Sequence, residues 1–587
     1  MDRLFLREFL NEKQIDAVLF DKNAVVMACP GGGKTRTLVY KIAHELSSKT
    51  DHRFVVAITY TNNAADEIKK RIVEMGVSLD RLWIGTIHSF CLRWILKPYS
   101  GFCEDIRFGY RIIDPHDADE LKQRFCEKHS CSIFKTNFGW DERGLKVKGV
   151  NNRKAVEEYY SHLKSNDLID FDQVIYFSYL LLVQYESIAL NLSRIFNLIL
   201  VDEYQDTQIL QYELLFSLAK SRGNTCRLFF VGDPNQAIFN SMGGVALSFE
   251  NFRARSGIDF NLLSLNDNYR SSQSIVDFFS LFRTIYGQPF KAVGEFSGYD
   301  SKVTFNRGCS IGSLDNYVKD LVYSAISDGI SQSDICIIAP WWFHLSEITR
   351  RLMALMPDIA FNGPGVTPIS LNRESLWYKL ARIALTPSSP KNYLTRIYYA
   401  SELLTQLKEA GFILRNDSTE VKHFLRYCNS LNVREIDGLD YLKVFFNESS
   451  AYFDFDIMQN EEFSESYNAF FASAQKRKEK LEIEGLGVLT KTEHYKKMFD
   501  KKSGVTVTTV HSAKGLEFDC VIAFGLLQGI IPRFDEDEQQ SKRLLYVLCS
   551  RAKKKLHLIS EVERRHKSGP YHANEVLCKT KFDYTNE

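Results

Sequence analysis

The chain has 587 residues, of which 45% are hydrophobic and 25% are charged. This composition is typical of a soluble globular protein of about three or four domains, and it excludes a disordered chain. Because 74 Lys and Arg residues balance 73 Asp and Glu residues, an anionic partner would have to bind a local basic groove rather than a uniformly positive surface.

The sequence predicts neither a targeting leader nor a membrane-spanning segment. Acids occur throughout MDRLFLREFLNEKQIDAV, and no later segment runs eighteen apolar residues without a charge, so we expect a cytoplasmic protein with no membrane contact. The twelve cysteines form no CxxC pair, which favours reduced thiols over a disulfide framework. Cys126, His129 and Cys131 come nearest to a metal cluster, but because a fourth ligand is missing we expect no metal there.

The first predicted elements are a strand, a loop and a helix. NAVVMACPGGGKTRTLV has an apolar run at residues 24–27, then glycines, then apolar residues at helical spacing. HRFVVAITYTNNAADEI repeats this order, and NLILVDE and RLFFVGD are two more apolar runs that end in acids. Apolar strands that alternate with helices predict a parallel sheet covered on both faces.

A second series of strands appears late in the chain, at DICIIAP, VTVTTVHS and DCVIAFG. We therefore predict an α/β fold with two parallel-sheet cores. Two charged segments with helical periodicity and few β runs interrupt them, and they are interpreted as mainly helical insertions. The predicted boundaries are 1–96 and 168–272 for the first core, 97–167 for its insertion, 273–386 and 504–587 for the second core, and 387–503 for its insertion.

The first motif is the loop ACPGGGKT. Gly33, Lys34 and Thr35 begin five residues after Ala28, which is the spacing of a phosphate-binding loop in which Ala28 replaces the first glycine. In such a loop the backbone N–H groups converge on phosphate, the lysine reaches the β- and γ-phosphates, and the hydroxyl is a Mg²⁺ ligand. The alternative is a glycine-rich turn that only connects a strand to a helix. The predicted loop comprises Ala28, Cys29, Pro30, Gly31, Gly32 and Gly33.

Acidic and basic side chains elsewhere fit the same chemistry. NLILVDE delivers Asp202 and Glu203 to a strand end, where one carboxylate could hold Mg²⁺ and the other could orient or deprotonate water. RLFFVGDPNQ ends in Asp233 and Gln236, and the amide of Gln236 could contact the γ-phosphate. Arginines in LNDNYRSS and YVLCSRAKKKL could stabilise the charge that develops on that phosphate, or they could be ordinary surface arginines.

In chain order, the segments LNEKQIDAV, ACPGGGKT, AITYTNNAADEI, GTIHSFC, LVDEYQD, VGDPNQAIF, LNDNYRSS, VTTVHSAKGLEFDCVI and LLYVLCSRAKKKL resemble the motifs of superfamily 1 DNA helicases of the UvrD/PcrA/Rep type. The resemblance covers both cores, whereas the insertions match only by position. It implies two RecA-like cores with ATP between them, and ATP-dependent 3′ to 5′ movement along single-stranded or tailed duplex DNA. ABC-like or AAA-type ATPases are disfavoured by the TVHSAKGLEF segment.

The resemblance also implies roles for single residues. Gln14 would read the adenine, Arg36 and Tyr269 would pack near the base, and Glu517 would reach the ribose. Lys34 would bind phosphate, Thr35 and Asp202 would bind Mg²⁺, and Glu203 would be the catalytic base. Gln236 would couple the γ-phosphate to DNA, and Arg270 and Arg551 would be the arginine fingers. DNA would meet Tyr60, Thr61, Asn62, Thr86, His88, His511 and Ser512.

Two alternatives stay open for the DNA contacts. Each of these side chains could instead make a local turn hydrogen bond or pack as an ordinary ring. Trp341 and Trp342 of APWWF could be stacking platforms for bases or could belong to a core or hinge.

The sequence departs from the family after Gln236. Ser241 stands where an aromatic residue usually stacks on a base, and Met242 replaces the neighbouring arginine, so either Phe239 compensates or DNA is held more loosely. The compact insertions make the chain similar to the helicase subunits of Gabija-type anti-phage systems, which act with an OLD-type nuclease. The alternative function is therefore an ATP-gated subunit that senses DNA ends and regulates a nuclease, with little processive unwinding.

Overall fold

The fold is taken from a computed structural model. It describes residues 3–48, 52–220, 226–239, 243–363, 369, 375–414, 417–483, 487–497, 499, 504–534, 536–566 and 569–585.

Two six-stranded sheets form the centre of the molecule, and every strand pair within them is parallel. In spatial order the first sheet is Asn261–Leu265, Ala24–Ala28, Arg227–Gly232, Phe196–Asp202, Phe54–Ile58 and Leu82–Gly85. The second sheet is Lys302–Asn306, Ala552–Ile559, Phe518–Ala523, Ile335–Ala339, Val505–Thr509 and Phe361–Asn362. The predicted fold of two parallel-sheet cores is confirmed.

Each sheet is buried on both faces because its strands are apolar at successive positions. Val25 packs into a cluster on one face of the first sheet, and Val26 packs into a different cluster on the other face. Ile337 and Ile338 are divided between two clusters of the second sheet in the same way. Helices on both faces exclude water from these side chains, as continuous apolar strands require.

Helices connect the strands of both sheets. Those in the chain segments of the first sheet are Arg3–Leu6, Glu12–Leu19, Lys34–Ser48, Asn62–Glu74, Ile87–Cys91, Phe171–Gln184, Glu186–Ile195, Ile209–Lys220 and Phe249–Ser256, with a π-helix at Leu92–Leu96. Those in the segments of the second sheet are Gln273–Ser280, Leu314–Ser327, Trp342–Leu355, Glu538–Cys549 and Glu575–Lys579. Two short strand pairs lie outside the sheets, Asp267–Asn268 with Lys291–Ala292 and Arg565–His566 with Gly569–Pro570.

The first insertion combines helices with short strands. Its helices are Lys97–Tyr99, Pro115–Lys128 and Val150–Ser165, and its strands are Arg111–Ile112, Trp140–Asp141 and Gly144–Leu145, with Leu168–Ile169 pairing to the first of them. A small core around Tyr159 and Phe138 holds these elements together. His129, one of the three residues weighed as metal ligands, lies 2.6 Å from a carboxylate oxygen of Glu158. The described residues contain no cluster of His, Cys, Asp or Glu that could hold a metal ion.

The second insertion is helical and has its own core. Its helices are Tyr393–Glu409, Asp417–Ser430, Gly438–Ser450, Glu461–Ile483 and Thr492–Lys497. The preceding helix Leu376–Leu385 buries Trp377 and Leu380 in that same core. Because this helix shares no core with the second sheet, we propose that the helical unit begins before Leu376 rather than at residue 387.

The parallel arrangement brings three functional segments to one edge of the first sheet. Strands Ala24–Ala28, Arg227–Gly232 and Phe196–Asp202 are consecutive neighbours, so the segments that follow them emerge side by side at the carboxyl edge, where ligands bind in open α/β sheets. Among the helices that the structure describes, none is both long and apolar enough to cross a membrane.

Candidate active site

The loop after strand Ala24–Ala28 is shaped by its glycines. Gly31 and Gly33 have φ of +67° and +76°, which side chains other than glycine rarely adopt. A Cβ at Gly31 would lie 2.6 Å from Cβ of Arg270, and a Cβ at Gly33 would lie 2.4 Å from Nε2 of Gln14. The loop ends at the N-terminus of helix Lys34–Ser48, whose first N–H groups have no partner within the helix. The arrangement suits an anion.

Cys29 and Pro30 tie the loop to its surroundings. The N–H of Cys29 donates to the carbonyl of Leu265 at 2.9 Å, and the carbonyl of Pro30 accepts from Nδ2 of Asn268 at 2.6 Å. Cys29 is 1% exposed, and burial raises the pKa of its thiol well above the usual range. This cysteine is therefore a packing residue of the loop rather than a reactive thiol.

The predicted lysine and carboxylates meet next to the loop. Lys34 Nζ lies 3.0 Å from Oε2 of Glu203, and the N–H of Glu203 donates to Oδ1 of Asp202 at 2.9 Å. Glu203 has φ +50° and ψ +45°, a left-handed conformation that is uncommon outside glycine and that strained functional residues often adopt.

The two carboxylates differ in charge state. Burial and the charge of Glu203 raise the pKa of Asp202. Burial acts in the same direction on Glu203, but Lys34 and Lys514 outweigh it and lower the pKa of that carboxyl. Burial opposes the charge of Lys34, and the surrounding carboxylates nevertheless raise its pKa. The charge of Lys34 acts on both carboxyls; it helps to keep Glu203 ionised, whereas at Asp202 burial and the charge of Glu203 outweigh it.

Gln236 links the two sheets. Its Nε2 donates to Oδ2 of Asp233 at 2.8 Å, and the hydroxyl of Tyr546 donates to the same oxygen at 3.0 Å. Its Oε1 accepts from Nη2 of Arg551 at 3.1 Å. Asp233 and Gln236 follow a strand of the first sheet, whereas Tyr546 and Arg551 belong to a helix of the second core and the turn after it. The amide of Gln236 is thus hydrogen-bonded to both cores, and its bonds depend on how the cores are placed.

Both predicted arginines lie at this junction. Arg551 is 1% exposed and donates to the carbonyls of Val547 and Leu516, and burial lowers its pKa to about 9. Arg270 donates through Nε to Oε2 of Glu517 at 2.7 Å and through Nη1 to the carbonyl of Ser550 at 2.9 Å. The alternative of two ordinary surface arginines does not fit this burial and bonding.

The residues predicted near a base surround the loop. Gln14 is 2% exposed, donates to the carbonyl of Gly32 at 3.2 Å and completes a capping box with Asn11. Asn11 also donates to the hydroxyl of Tyr269 at 2.6 Å, and that ring stays 38% exposed. Arg36 is exposed and Thr35 is half-buried in the first turn of helix Lys34–Ser48.

Aromatic rings cross from one core to the other. Tyr60 stacks on Phe239 with ring centroids 5.2 Å apart and planes at 25°. On its other side, the ring centroid of Phe239 lies 5.7 Å from that of His511. Tyr60 and Phe239 follow strands of the first sheet, and His511 follows strand Val505–Thr509 of the second. These three residues form an aromatic row, and Tyr60 is 44% exposed within it.

The hydroxyl residues predicted to meet DNA make local bonds. Thr61 and Thr86 cap helices by accepting from backbone N–H groups at 3.3 Å, and the N–H of Ser512 donates to Oγ1 of Thr509 at 3.2 Å. The alternative of local turn hydrogen bonds therefore describes their present contacts. His88 packs edge-on against Phe171, and burial lowers its pKa to about 4.

Three predictions concern residues that the structure does not describe fully. Ser241 and Met242 lie outside the described residues, as do the side chains of Asn62 and Trp342. Trp341 is half-buried, and the guanidinium of Arg533 lies 4.7 Å from its ring centroid.

The sequence reasoning missed four residues of this network. Lys514 Nζ lies 2.8 and 2.6 Å from the carboxylate oxygens of Asp206 and 2.8 Å from the carbonyl of Gln236. Gln205 donates to Glu203, and Tyr546 donates to Asp233. Lys514 lies within VHSAKG, and Gln205 and Asp206 lie within DEYQD. Their positions inside these motifs could have identified them as site residues.

Comparison with known proteins matches two family models to the chain. The UvrD/REP helicase N-terminal domain matches residues 10–256, and the UvrD-like helicase C-terminal domain matches residues 391–563. A probable DNA helicase II homolog of Mycoplasma capricolum subsp. capricolum is 26% identical over 94% of this chain and 84% of its own length. The ATP-dependent DNA helicase PcrA of Staphylococcus aureus is 24% identical over 95% of this chain and 84% of its own length. The ATP-dependent DNA helicase SRS2 of Saccharomyces cerevisiae is 29% identical over 47% of this chain and 27% of its own length.

Proposed function

We propose that this chain, which belongs to the UvrD/REP helicase family, is an ATP-dependent DNA helicase that moves 3′ to 5′ along one strand. Relatives aligned over 84% of their own length carry DNA helicase in their names. The observation that carries the proposal is the 3.1 Å contact between Arg551 and Gln236, because it joins the two cores beside the glycine loop.

The site fits a nucleoside triphosphate with Mg²⁺. The loop leaves no room for a Cβ at Gly31 or Gly33, as expected where backbone N–H groups approach phosphate. Burial and the neighbouring carboxylate of Glu203 raise the pKa of Asp202, so a bound cation would stabilise the charged form of this side chain. With the hydroxyl of Thr35 it offers the oxygen ligands that Mg²⁺ prefers. A bound Mg²⁺ would neutralise charge on the β- and γ-phosphates.

Hydrolysis would use side chains from both cores. Glu203 would accept a proton from the attacking water, since Lys34 and Lys514 keep its carboxylate ionised. Lys34 would bind the γ-phosphate, and the guanidinium groups of Arg270 and Arg551 would stabilise the charge that it develops. Arg270 bonds a carbonyl of the second core and Arg551 bonds Gln236 of the first, so both arginines would act where the two cores meet.

The nucleoside would lie on the outer side of the loop. Gln14 borders Gly33 and would read the adenine edge, while Arg36 and the half-exposed ring of Tyr269 would pack near the base. Glu517, held by Arg270 at 2.7 Å, would reach the ribose.

DNA movement would be coupled to ATP hydrolysis through the short chain segment that joins the ATP site to the aromatic row. Phe239 is three residues beyond Gln236, and it lies in the aromatic row with Tyr60 and His511. Rings of this kind stack on bases of a single strand. Closure around ATP would bring Gln236 of the first core and His511 of the second core closer to each other. The first-core rings, Tyr60 and Phe239, and the second-core ring, His511, would then bind the strand alternately. Thr61, Asn62, Thr86, His88 and Ser512 would contribute phosphate contacts.

A second function is supported by one sequence observation. Ser241 and Met242 replace the aromatic and arginine of the family pattern, which weakens base stacking by about 1 to 3 kcal/mol at that step. The chain would then be an ATP-gated subunit that senses DNA ends, and an OLD-type nuclease in anti-phage defence would be its partner.

Two measurements separate these functions. ATPase activity is measured with and without single-stranded DNA, and strand separation is measured on duplexes with a 3′ or a 5′ tail. We expect DNA-stimulated hydrolysis and unwinding of the 3′-tailed duplex alone. ATPase that ignores DNA would overturn the helicase proposal, and stimulated ATPase without unwinding would favour the regulatory subunit.

The matched pair of variants is Glu203→Gln and Glu67→Gln. Glu203→Gln removes the proposed base and should abolish turnover while ATP still binds. Glu67 is exposed and pairs with Arg71 on the surface, so Glu67→Gln should behave as the wild type.

A further inference from the structure

Gln205 is a fully buried glutamine beside the carboxylate of Glu203. Its side chain is 0% exposed, and its Nε2 donates to Oε2 of Glu203 at 2.6 Å. Its Oε1 accepts from the N–H of Asp233 at 3.0 Å. A backbone N–H can only donate, so this second bond determines which end of the amide faces Glu203.

The surrounding backbone leaves space for this amide and little else. A Cβ at Gly232 would lie 2.2 Å from Oε1 of Gln205. Gly232 ends the strand Arg227–Gly232, which pairs with the strand that leads into Glu203. The side chain of Gln205 therefore bridges the ends of two neighbouring strands, and its position is set by both.

The hydrogen bond from Gln205 makes the two carboxylate oxygens of Glu203 different from each other. Oε2 receives Lys34 Nζ at 3.0 Å and Gln205 Nε2 at 2.6 Å. Two charge-assisted hydrogen bonds to one oxygen hold the carboxylate in a single orientation. Because Glu203 also has a left-handed backbone conformation, its side chain needs such support to keep a fixed direction.

We propose that Gln205 is a positioning residue for ATP hydrolysis: it occupies Oε2 of Glu203 and thereby presents Oε1 to the attacking water. The inference rests on the proposed hydrolysis of ATP by this site. In that step the water oxygen bonds to the γ-phosphorus, the bond from phosphorus to the bridging β-phosphate oxygen breaks, and the water proton passes to Oε1. The products are ADP and inorganic phosphate.

The decisive variant is Gln205→Glu, which has the same shape. Its carboxylate can still accept from the N–H of Asp233, but it places a second acceptor against Oε2 of Glu203, and two carboxylates at that distance repel. The orientation of Glu203 is then lost although the volume is kept. We expect kcat of the DNA-stimulated ATPase to fall about 100-fold, as a misplaced catalytic group typically produces.

Binding separates positioning from a merely structural role. KM for ATP and the Kd for ADP, measured by calorimetry, should stay within about twofold of the wild type, because the hydrogen bonds of the Gln205 side chain go to Glu203 and Asp233. Gln205→Met fills the same volume without a donor and should also lower kcat with unchanged ADP binding. The matched control is Gln211→Glu, since Gln211 is also a buried glutamine whose Oε1 accepts from a backbone N–H, that of Gln208.

Each outcome has one meaning. A fall in kcat for both variants with unchanged ADP binding and thermal unfolding supports the inference. It is overturned if Gln205→Glu keeps kcat within about twofold, or if kcat, ADP binding and thermal stability fall together in both variants. A wild-type protein that hydrolyses no ATP would instead overturn the proposed function.

Discussion

The two sheets have the same number of strands and the same parallel pairing, yet the ion pair Lys514–Asp206 and the bond Arg551–Gln236 take their cations from the second core and their acceptors from the first. The first core supplies carboxylates, since Asp202 ends one of its strands and Glu203 and Asp233 follow strand ends. The second core supplies Lys514 and Arg551, which lie in turns after a strand and a helix. Similar frameworks therefore carry different chemistry in their connecting segments, where functional residues concentrate.

The division of charge has a mechanical consequence. Phosphates bound at the glycine loop would meet Lys34 of the first core directly, whereas they would meet Arg551 only if the second core is close, so affinity of the closed state depends on both halves. The predictions below test this division, beginning with the largest expected effect.

Removing the cation that the first core itself provides should have the greatest effect. Lys34→Ala takes away the ammonium that lies 3.0 Å from Glu203 and next to the glycine loop. We expect ATP turnover to fall by about 1000-fold, because a preorganised charge at the phosphates is lost. Steady-state ATPase with saturating single-stranded DNA measures it. Lys70→Ala, a surface lysine, should be unaffected, and normal hydrolysis by Lys34→Ala would refute the loop assignment.

The guanidinium of the second core should matter through its shape as well as its charge. Arg551→Lys keeps a cation but cannot bond Gln236, Val547 and Leu516 together. We expect kcat to fall about 100-fold with little change in ADP affinity. Activity close to that of the wild type would mean that only the charge of the second core is used.

The ion pair between the cores tests their coupling directly. Lys514 and Asp206 are 8% and 1% exposed, so each single change, Lys514→Met or Asp206→Asn, leaves a buried charge without its partner. The double variant should be less impaired than the sum of the two, with a coupling of about 2 kcal/mol in thermal or urea unfolding. DNA stimulation of the ATPase should weaken in all three variants. Strictly additive effects would show that the pair does not link the cores.

The aromatic row should affect DNA more than nucleotide. Phe239→Ala removes the ring that stands between Tyr60 and His511. We expect the Kd for single-stranded DNA to rise about tenfold, measured by fluorescence anisotropy, with unchanged KM for ATP. Phe108→Ala, at a ring that is 88% exposed, provides the control. Unchanged DNA affinity in Phe239→Ala would remove the row from the DNA path.

The smallest effect concerns pH. Burial lowers the pKa of His88 to about 4, below its ordinary value, so between these two values the unfolded chain binds a proton that the folded protein does not. Stability should therefore fall as pH drops from about 6.5 to about 4, by a slope of about one proton from this residue. Urea unfolding of His88→Gln should lack that share of the slope. Because His88 is neutral at pH 7, its removal should leave the salt dependence of DNA binding unchanged.

Local sequence patterns predicted individual strands and helices well, but they did not predict which elements pack against each other. The run at residues 24–27 became strand Ala24–Ala28, and the acids of NLILVDE lie at the end of strand Phe196–Asp202. The helix Leu376–Leu385 was assigned to the second core, although it packs in the helical insertion, because periodicity shows that a helix has an apolar face but not what covers it. The contacts of Phe239 with Tyr60 and His511 could not be predicted from the sequence, because they depend on how the two cores pack.

The sequence by itself predicted the strands that lead into the site and the glycine loop, because these depend on local patterns. It also indicated the family and the residue types of the site, because the order of the motifs along the chain carries that information. Only the tertiary structure decided that Lys514 meets Asp206 across 308 positions of chain, and that Arg551 meets Gln236 across 315. It also placed the amide of Gln205 between two strand ends. These contacts depend on how two separately folded sheets pack, since buried charges must find partners wherever the packing places them.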